Sequence, residues 1–89
     1  MAKTNILIVD DEQDIRESLG GILEDEGHII YLAENAKAAR LIKDTEDIKL
    51  ILLDIWMPDC DGITLLKEWA SANKINCPVI MMSGHGTID

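Results

Sequence analysis

The stretch Leu50–Gly62, LILLDIWMPDCDG, decides how this chain is read. Four apolar residues, Leu50 to Leu53, run into one carboxylate, Asp54. A Met57-Pro58 pair follows, and an acidic turn closes on Gly62. A continuous apolar run without polar alternation is the pattern of a strand covered on both faces, as in a parallel sheet. Packing alone gives such a strand no reason to end in a charge, because burying an unpaired carboxylate is costly. Asp54 therefore directs attention to chemistry at the strand's C-terminal end.

Working outward, three further runs have the same character: NILIV (Asn5–Val9), HIIYL (His28–Leu32) and VIMM (Val79–Met82). Segments of helical period lie between them. Ile15, Leu19, Ile22 and Leu23 fall on one face of a first helix that Gly20 and Gly21 weaken and Gly27 ends. Ala36, Ala39, Leu41 and Ile42 carry a second helix over about Asn35 to Asp44. Ile63, Leu66 and Ala70, with Leu65 and Trp69 beside them, carry a third over about Ile63 to Asn73. Pro78 opens the last strand. The order β-α-β-α-β-α-β predicts a doubly wound α/β fold with a parallel sheet and right-handed crossovers that cover both faces. Thr87 is a good N-cap with only two residues after it, so the chain reads as the first part of a larger α/β domain.

At 89 residues the chain is at most one domain, and its 47% hydrophobic content suffices for a core. No apolar run has the length of a membrane span, and the N-terminus lacks a signal-peptide pattern. Cys60 and Cys77 have no Cys or His neighbour at metal-ligand spacing, so two free thiols and a cytoplasmic location are expected. The net charge of −9 argues against direct nucleic-acid binding and for cation binding.

In a doubly wound sheet, ligands bind outside the C-terminal strand ends. The first strand runs into Asp10-Asp11-Glu12 and the third into Asp54. If those strands are neighbours, three aspartates converge, and a hard cation, above all Mg²⁺, relieves their repulsion. Mg²⁺ in turn brings phosphate, and a carboxylate nucleophile then forms an acyl phosphate. The fourth strand ends in Ser83-Gly84, which sets a hydroxyl at the same edge.

ILIVDDE, LILLDIWMPDCDG and VIMMSG together resemble the receiver domain of two-component response regulators, from about Asn5 onward. The spaced run D-x-x-M-P-x-x-D-G, paired with the acid pair of the first strand, is a specific match. SGHGTID resembles the receivers of nitrogen-regulation activators of the NtrX type. The resemblance implies a flavodoxin-like fold with strand order 2-1-3-4. It implies Asp54 as phosphoacceptor and Asp11 as direct Mg²⁺ ligand, with Asp10 acting through water. The Trp56 backbone carbonyl is then a further metal ligand and Ser83 the switch hydroxyl. Met57-Pro58 and Gly62 shape the loop beneath the site. The implied phosphodonor is a phosphohistidine on a sensor histidine kinase, which meets a surface including the first helix. Receivers have five strands and five helices. Residues 1–89 then form a partial receiver domain without an effector domain, lacking strand five, helix five and most of helix four. The lysine and the aromatic switch residue of strand five are absent with them. An impaired switch is expected, with a bare fourth-strand edge through which copies pair, or a partly unfolded chain.

Simpler readings stand beside these. Asp54 alone has the look of a strand-ending or capping residue; its company at matching strand ends favours chemistry. Glu12, Asp14, Asp59 and Asp61 read as solvated or helix-start charges, and His85 as a surface residue. Cys60 reads as an incidental loop thiol. Trp56 is expected to expose its side chain, Trp69 to join the core. Two other functions are considered: a phosphorylation-independent interaction domain, and an aspartate-nucleophile phosphatase. The haloacid-dehalogenase-type enzymes of the second class carry an acid two residues after the nucleophile, where this chain has Trp56. No glycine fingerprint for a nucleotide follows the first strand.

Overall fold

The computed structural model describes residues 3–82. They form β1 (Asn5–Val9), α1 (Gln13–Asp25), β2 (Ile29–Ala33), α2 (Ala36–Thr45), β3 (Leu50–Asp54), α3 (Gly62–Ser71) and β4 (Val79–Met82). The strands make one parallel sheet in the order β2-β1-β3-β4, as expected from the alternating pattern and the family resemblance. Ser83 and the residues after it, His85 and Thr87 included, lie outside the described residues.

Alternation along the strands sorts the side chains onto two faces. Leu7 and Val9 of β1 and Ile51 and Leu53 of β3 join Ala33, Ala36, Ala39, Ile48, Leu65 and Trp69 in one buried cluster. This is the face that α2 and α3 cover. The opposite face carries Ile6 and Ile8, and α1 packs there across β1 and β2. Parallel registers align Leu32, Ile8, Leu52 and Ile80 in a row across that second face. Ile8 is fully buried in the row, whereas Leu32 is 43% and Ile80 51% exposed. Coverage on both faces therefore holds for β1, is partial at β3, where Leu50 and Leu52 are half-buried on this face, and fails at β2 and β4, the sheet edges.

Helix faces differ from the periodicity reading in three places. Ile22 is exposed on α1, and Gly20 is buried instead, with Leu32 and Ile30 of β2 against its missing Cβ. A Cβ here would meet those side chains at ordinary van der Waals distance, so the position packs against the strand with a small residue, a role that a hydrophobic count does not register. Leu41 is exposed on α2, where Ala36 and Ala39 face the sheet. On α3, Ile63 and Ala70 point outward while Gly62, Leu65 and Trp69 are buried. The bulk of Trp69, 2% exposed, sets the rotation of that helix.

The helix starts are chemically specified. Asn35 caps α2 by accepting the Ala38 N–H at 2.8 Å, and Asp61 caps α3 by accepting the Thr64 N–H at 2.8 Å. α1 ends at Gly27, which has φ +97°. α3 ends through Asn73 at φ 63°, the left-handed region in which asparagine is the tolerated non-glycine residue. Arg40 of α2 donates two hydrogen bonds to Glu68 of α3, at 2.8 and 3.0 Å. Lys74 bridges to Asp44 at 3.0 Å. No helix among the described residues is long and apolar enough to cross a membrane.

Candidate functional site

The order β2-β1-β3 makes β1 and β3 neighbours, in register from Ile6 with Leu50 to Val9 with Leu53. The residues that follow those partners, Asp10 and Asp54, emerge side by side at the C-terminal edge. Both are buried, at 2% and 0% exposure, and Asp11 is more open to solvent. Ligand oxygens of Asp10, Asp11 and Asp54 all lie within 4.8 Å of one another. The convergence expected from the acidic strand ends is thus present in the fold.

Local hydrogen bonds hold each member. The Asp10 N–H donates to the Ala33 carbonyl of β2 at 3.0 Å, which anchors the residue to the neighbouring strand. Asp10 Oδ1 accepts the Glu12 N–H at 2.8 Å, turning the chain into α1. Arg16 reaches back from the first turn of α1 and donates Nη1 to the Asp10 carbonyl at 2.7 Å. Its side chain is 14% exposed, so a cation lies largely buried behind the acid pair. Nothing in the helical periodicity marks Arg16 as a core or site residue. On β3, Asp54 Oδ1 accepts the Trp56 N–H at 3.3 Å, and the Ile55 N–H bonds to Met82 of β4.

The loop from Ile55 to Asp61 is closed at its base. The Gly62 N–H donates to the Ile55 carbonyl at 2.7 Å. A Cβ on Gly62 would overlap the Asp54 carbonyl oxygen, so no side chain fits there. The chemistry of the D-G pair is local: Asp61 caps α3 while Gly62 lets the helix start press on the end of β3. Met57 and Cys60 pack against the buried cluster and fix the loop's inner wall. Trp56 points outward at 55% exposure, as its reading anticipated, and leaves its backbone at the site.

Asp59 is the loop residue whose role composition did not reveal. Its Oδ1 accepts the Ala36 N–H at 3.1 Å and its Oδ2 the Lys37 N–H at 3.2 Å, across more than twenty residues of chain. Partial burial pushes this carboxyl up. The donors of Ala36 and Lys37, its own N–H and the Arg40 charge together outweigh that and hold it below its ordinary value. Asp61 is lowered chiefly by the Thr64 N–H. Burial raises the Cys60 thiol, which argues against a reactive thiolate in this loop.

Three carboxylates from two adjacent strand ends make an all-oxygen donor set, the kind a hard divalent cation takes. Two of the three are buried, so a positive charge in the cleft would meet little competition from water.

Comparison with known proteins agrees with this architecture. Residues 6–89 match the family model of the response regulator receiver domain. The chain is 42% identical over 87 residues to the nitrogen assimilation regulatory protein NtrX of Azorhizobium caulinodans, covering 96% of this chain and 19% of that protein. The receiver domain of Francisella response regulator 1452 superposes with a TM-score of 0.87 at 32% identity, over 96% of this chain and 69% of that one. MaeR, a response regulator solved bound to beryllium trifluoride, superposes with a TM-score of 0.83 at 30% identity, over 94% of this chain and 70% of that one. The chain spans about a fifth of the length of the NtrX-like relatives it matches. On the family match and the shared fold, this chain belongs to the response regulator receiver domain family, with NtrX-like regulators among its relatives.

Proposed function

We propose that this chain accepts a phosphoryl group on Asp54, in the presence of Mg²⁺, from the phosphohistidine of a sensor histidine kinase. The modification switches a downstream output, transcription activation in an NtrX-like parent. The observation that carries this reading is the meeting of Asp10, Asp11 and Asp54 within 4.8 Å at the carboxyl ends of β1 and β3. Asp11, the more open acid, is the direct metal ligand, together with Asp54 and the Trp56 carbonyl; Asp10 acts through water. Bound Mg²⁺ supplies charge neutralisation for the cluster and the incoming phosphoryl oxygens. An Asp54 oxygen forms the new bond to phosphorus as the phosphorus–nitrogen bond breaks. The released electron pair goes to the imidazole, which takes up a proton. Ser83 is the hydroxyl that follows the phosphoryl group.

The chain acts as a switch rather than a turnover enzyme. Two residues after Asp54, where an aspartate-nucleophile phosphatase needs a proton donor, stands Trp56, with its indole turned to solvent. A second copy of the chain is a further partner. Among the described residues β4 pairs with β3 alone, and Ile80 is 51% exposed beside that edge. Sedimentation velocity across a concentration series should show association that Ile80→Lys reduces; a constant monomer mass would remove this partner.

The test of the central reading is incubation with Mg²⁺ and a small acyl phosphate, followed by intact mass and peptide mapping. A labile adduct on Asp54, absent from Asp54→Asn, is expected. Beryllium trifluoride serves as a stable probe. Its binding should change the emission of Trp56, which lies next to the site and is half exposed, and the signal should vanish in Trp56→Phe. No adduct and no emission change, in this chain and in a longer parent alike, would defeat the reading.

A further inference from the structure

The geometry points to Asp59 as a positioning residue that ties the site loop to α2 and thereby sets the Trp56 carbonyl for the cation; the inference rests on the metal site proposed above. Three contacts define the loop. Its base is closed by the Gly62 N–H on the Ile55 carbonyl, at 2.7 Å. Its first turn is held by the Trp56 N–H on Asp54 Oδ1, at 3.3 Å. Its far side is held by Asp59, which grips two successive N–H groups of α2 with separate carboxylate oxygens, at 3.1 and 3.2 Å.

The tether has a rigid post. A helix start offers several N–H groups without intrahelical partners. In α2 the first two, Ala36 and Lys37, go to Asp59, and the third, Ala38, goes to the helix's own cap, Asn35. Ala36 is fully buried, so that end of α2 is fixed against the core. The two hydrogen bonds that Arg40 donates to Glu68 link α2 to α3, which begins where the site loop ends. Trp56 and Asp59 are three residues apart with Pro58 between them, a residue whose φ is locked. A displacement at Asp59 therefore reaches Trp56 with little slack. Two acceptors on two donors fix the loop's orientation as well as its distance, which one hydrogen bond does not.

A purely structural role, in which Asp59 only completes the α2 cap, predicts the same phenotype for loss of Asp59 and loss of Asn35. A positioning role separates them. The experiment measures Mg²⁺ affinity by titration calorimetry, and amide hydrogen exchange, in wild type, Asp59→Ala, Asp59→Asn and Asn35→Ala. Both Asp59 variants remove the same charge, but asparagine keeps one acceptor, so their difference reads the tether and not the field. Asp59→Ala should weaken Mg²⁺ binding about tenfold relative to wild type, with Asp59→Asn clearly tighter than the alanine variant. Asn35→Ala should lower the melting temperature yet leave Mg²⁺ affinity at the wild-type value. Exchange at the loop amides of Trp56, Met57 and Cys60 should rise in Asp59→Ala and not in Asn35→Ala. Equal affinities for the alanine and asparagine variants, or unchanged loop exchange in Asp59→Ala, would overturn the inference alone. A wild-type chain that binds no Mg²⁺ would overturn the site reading and this inference together.

Discussion

Gly62 has no room for any side chain, because a Cβ would enter the carbonyl oxygen of Asp54. The obstruction is backbone, which cannot rotate away. Gly62→Ala should cost about 1–3 kcal/mol in urea unfolding, as overpacking does. It should also displace the loop, so Mg²⁺ affinity at the proposed site should fall in the same variant. The convergence of three acids was legible at this scale. Asp10, Asp11 and Asp54 stand at the ends of apolar runs, and burial of a charge at such a place signals use. Asp59 and Arg16 were not legible. One is an acid among many in a chain of net charge −9, and its partners are backbone groups more than twenty residues away. The other bonds to a carbonyl, and every residue has a carbonyl.

At the scale of elements, the alternation of apolar runs with helical periods located the strands and helices of the described residues to within one or two residues. The rotation of the helices was harder to read. A helix face is chosen by what fits the opposing surface, so small residues can win it from large ones. Gly20 against Leu32, and Ala36 and Ala39 against the sheet, displace Ile22 and Leu41 to solvent. The glycines of α1 give a paired prediction. Nothing stands within 4 Å of a Cβ on Gly21, so Gly21→Ala should stabilise the chain by about 0.5–1 kcal/mol through helix propensity. Gly27 ends the same helix at φ +97°, so Gly27→Ala should destabilise it by about 1–2 kcal/mol. Thermal or urea melting of the two variants, run side by side, checks both signs.

For the whole molecule, charge governs response to conditions. The carboxyls of Glu68, through its Arg40 bond, and of Asp61, through the Thr64 N–H, lie below their ordinary values in the folded chain. Groups lowered by folding stabilise it fully above their unfolded values, 4.5 for Glu and 3.8 for Asp. Their contribution is lost as pH falls through the lower folded values. A melting-temperature profile should therefore decline below about pH 4.5 for this reason, and Glu68→Gln should flatten part of that decline. At the proposed cation site, Mg²⁺ should act in the opposite sense. At a hundred times its Kd it should add about 2.7 kcal/mol of stability, read as a rise in melting temperature that Asp54→Asn abolishes. What the sequence by itself determined was the class of fold, the order of its elements and the acids that mark the family, because strand runs, helix periods and strand-end charges are local patterns. The tertiary structure has the strand order that the family resemblance implied, and it alone decided how closely Asp10 and Asp11 approach Asp54. It also decided which helix faces are buried and where Asp59 and Arg16 find their partners. Those contacts join residues far apart in the chain, and their partners are mostly backbone groups, which carry no signature in the sequence.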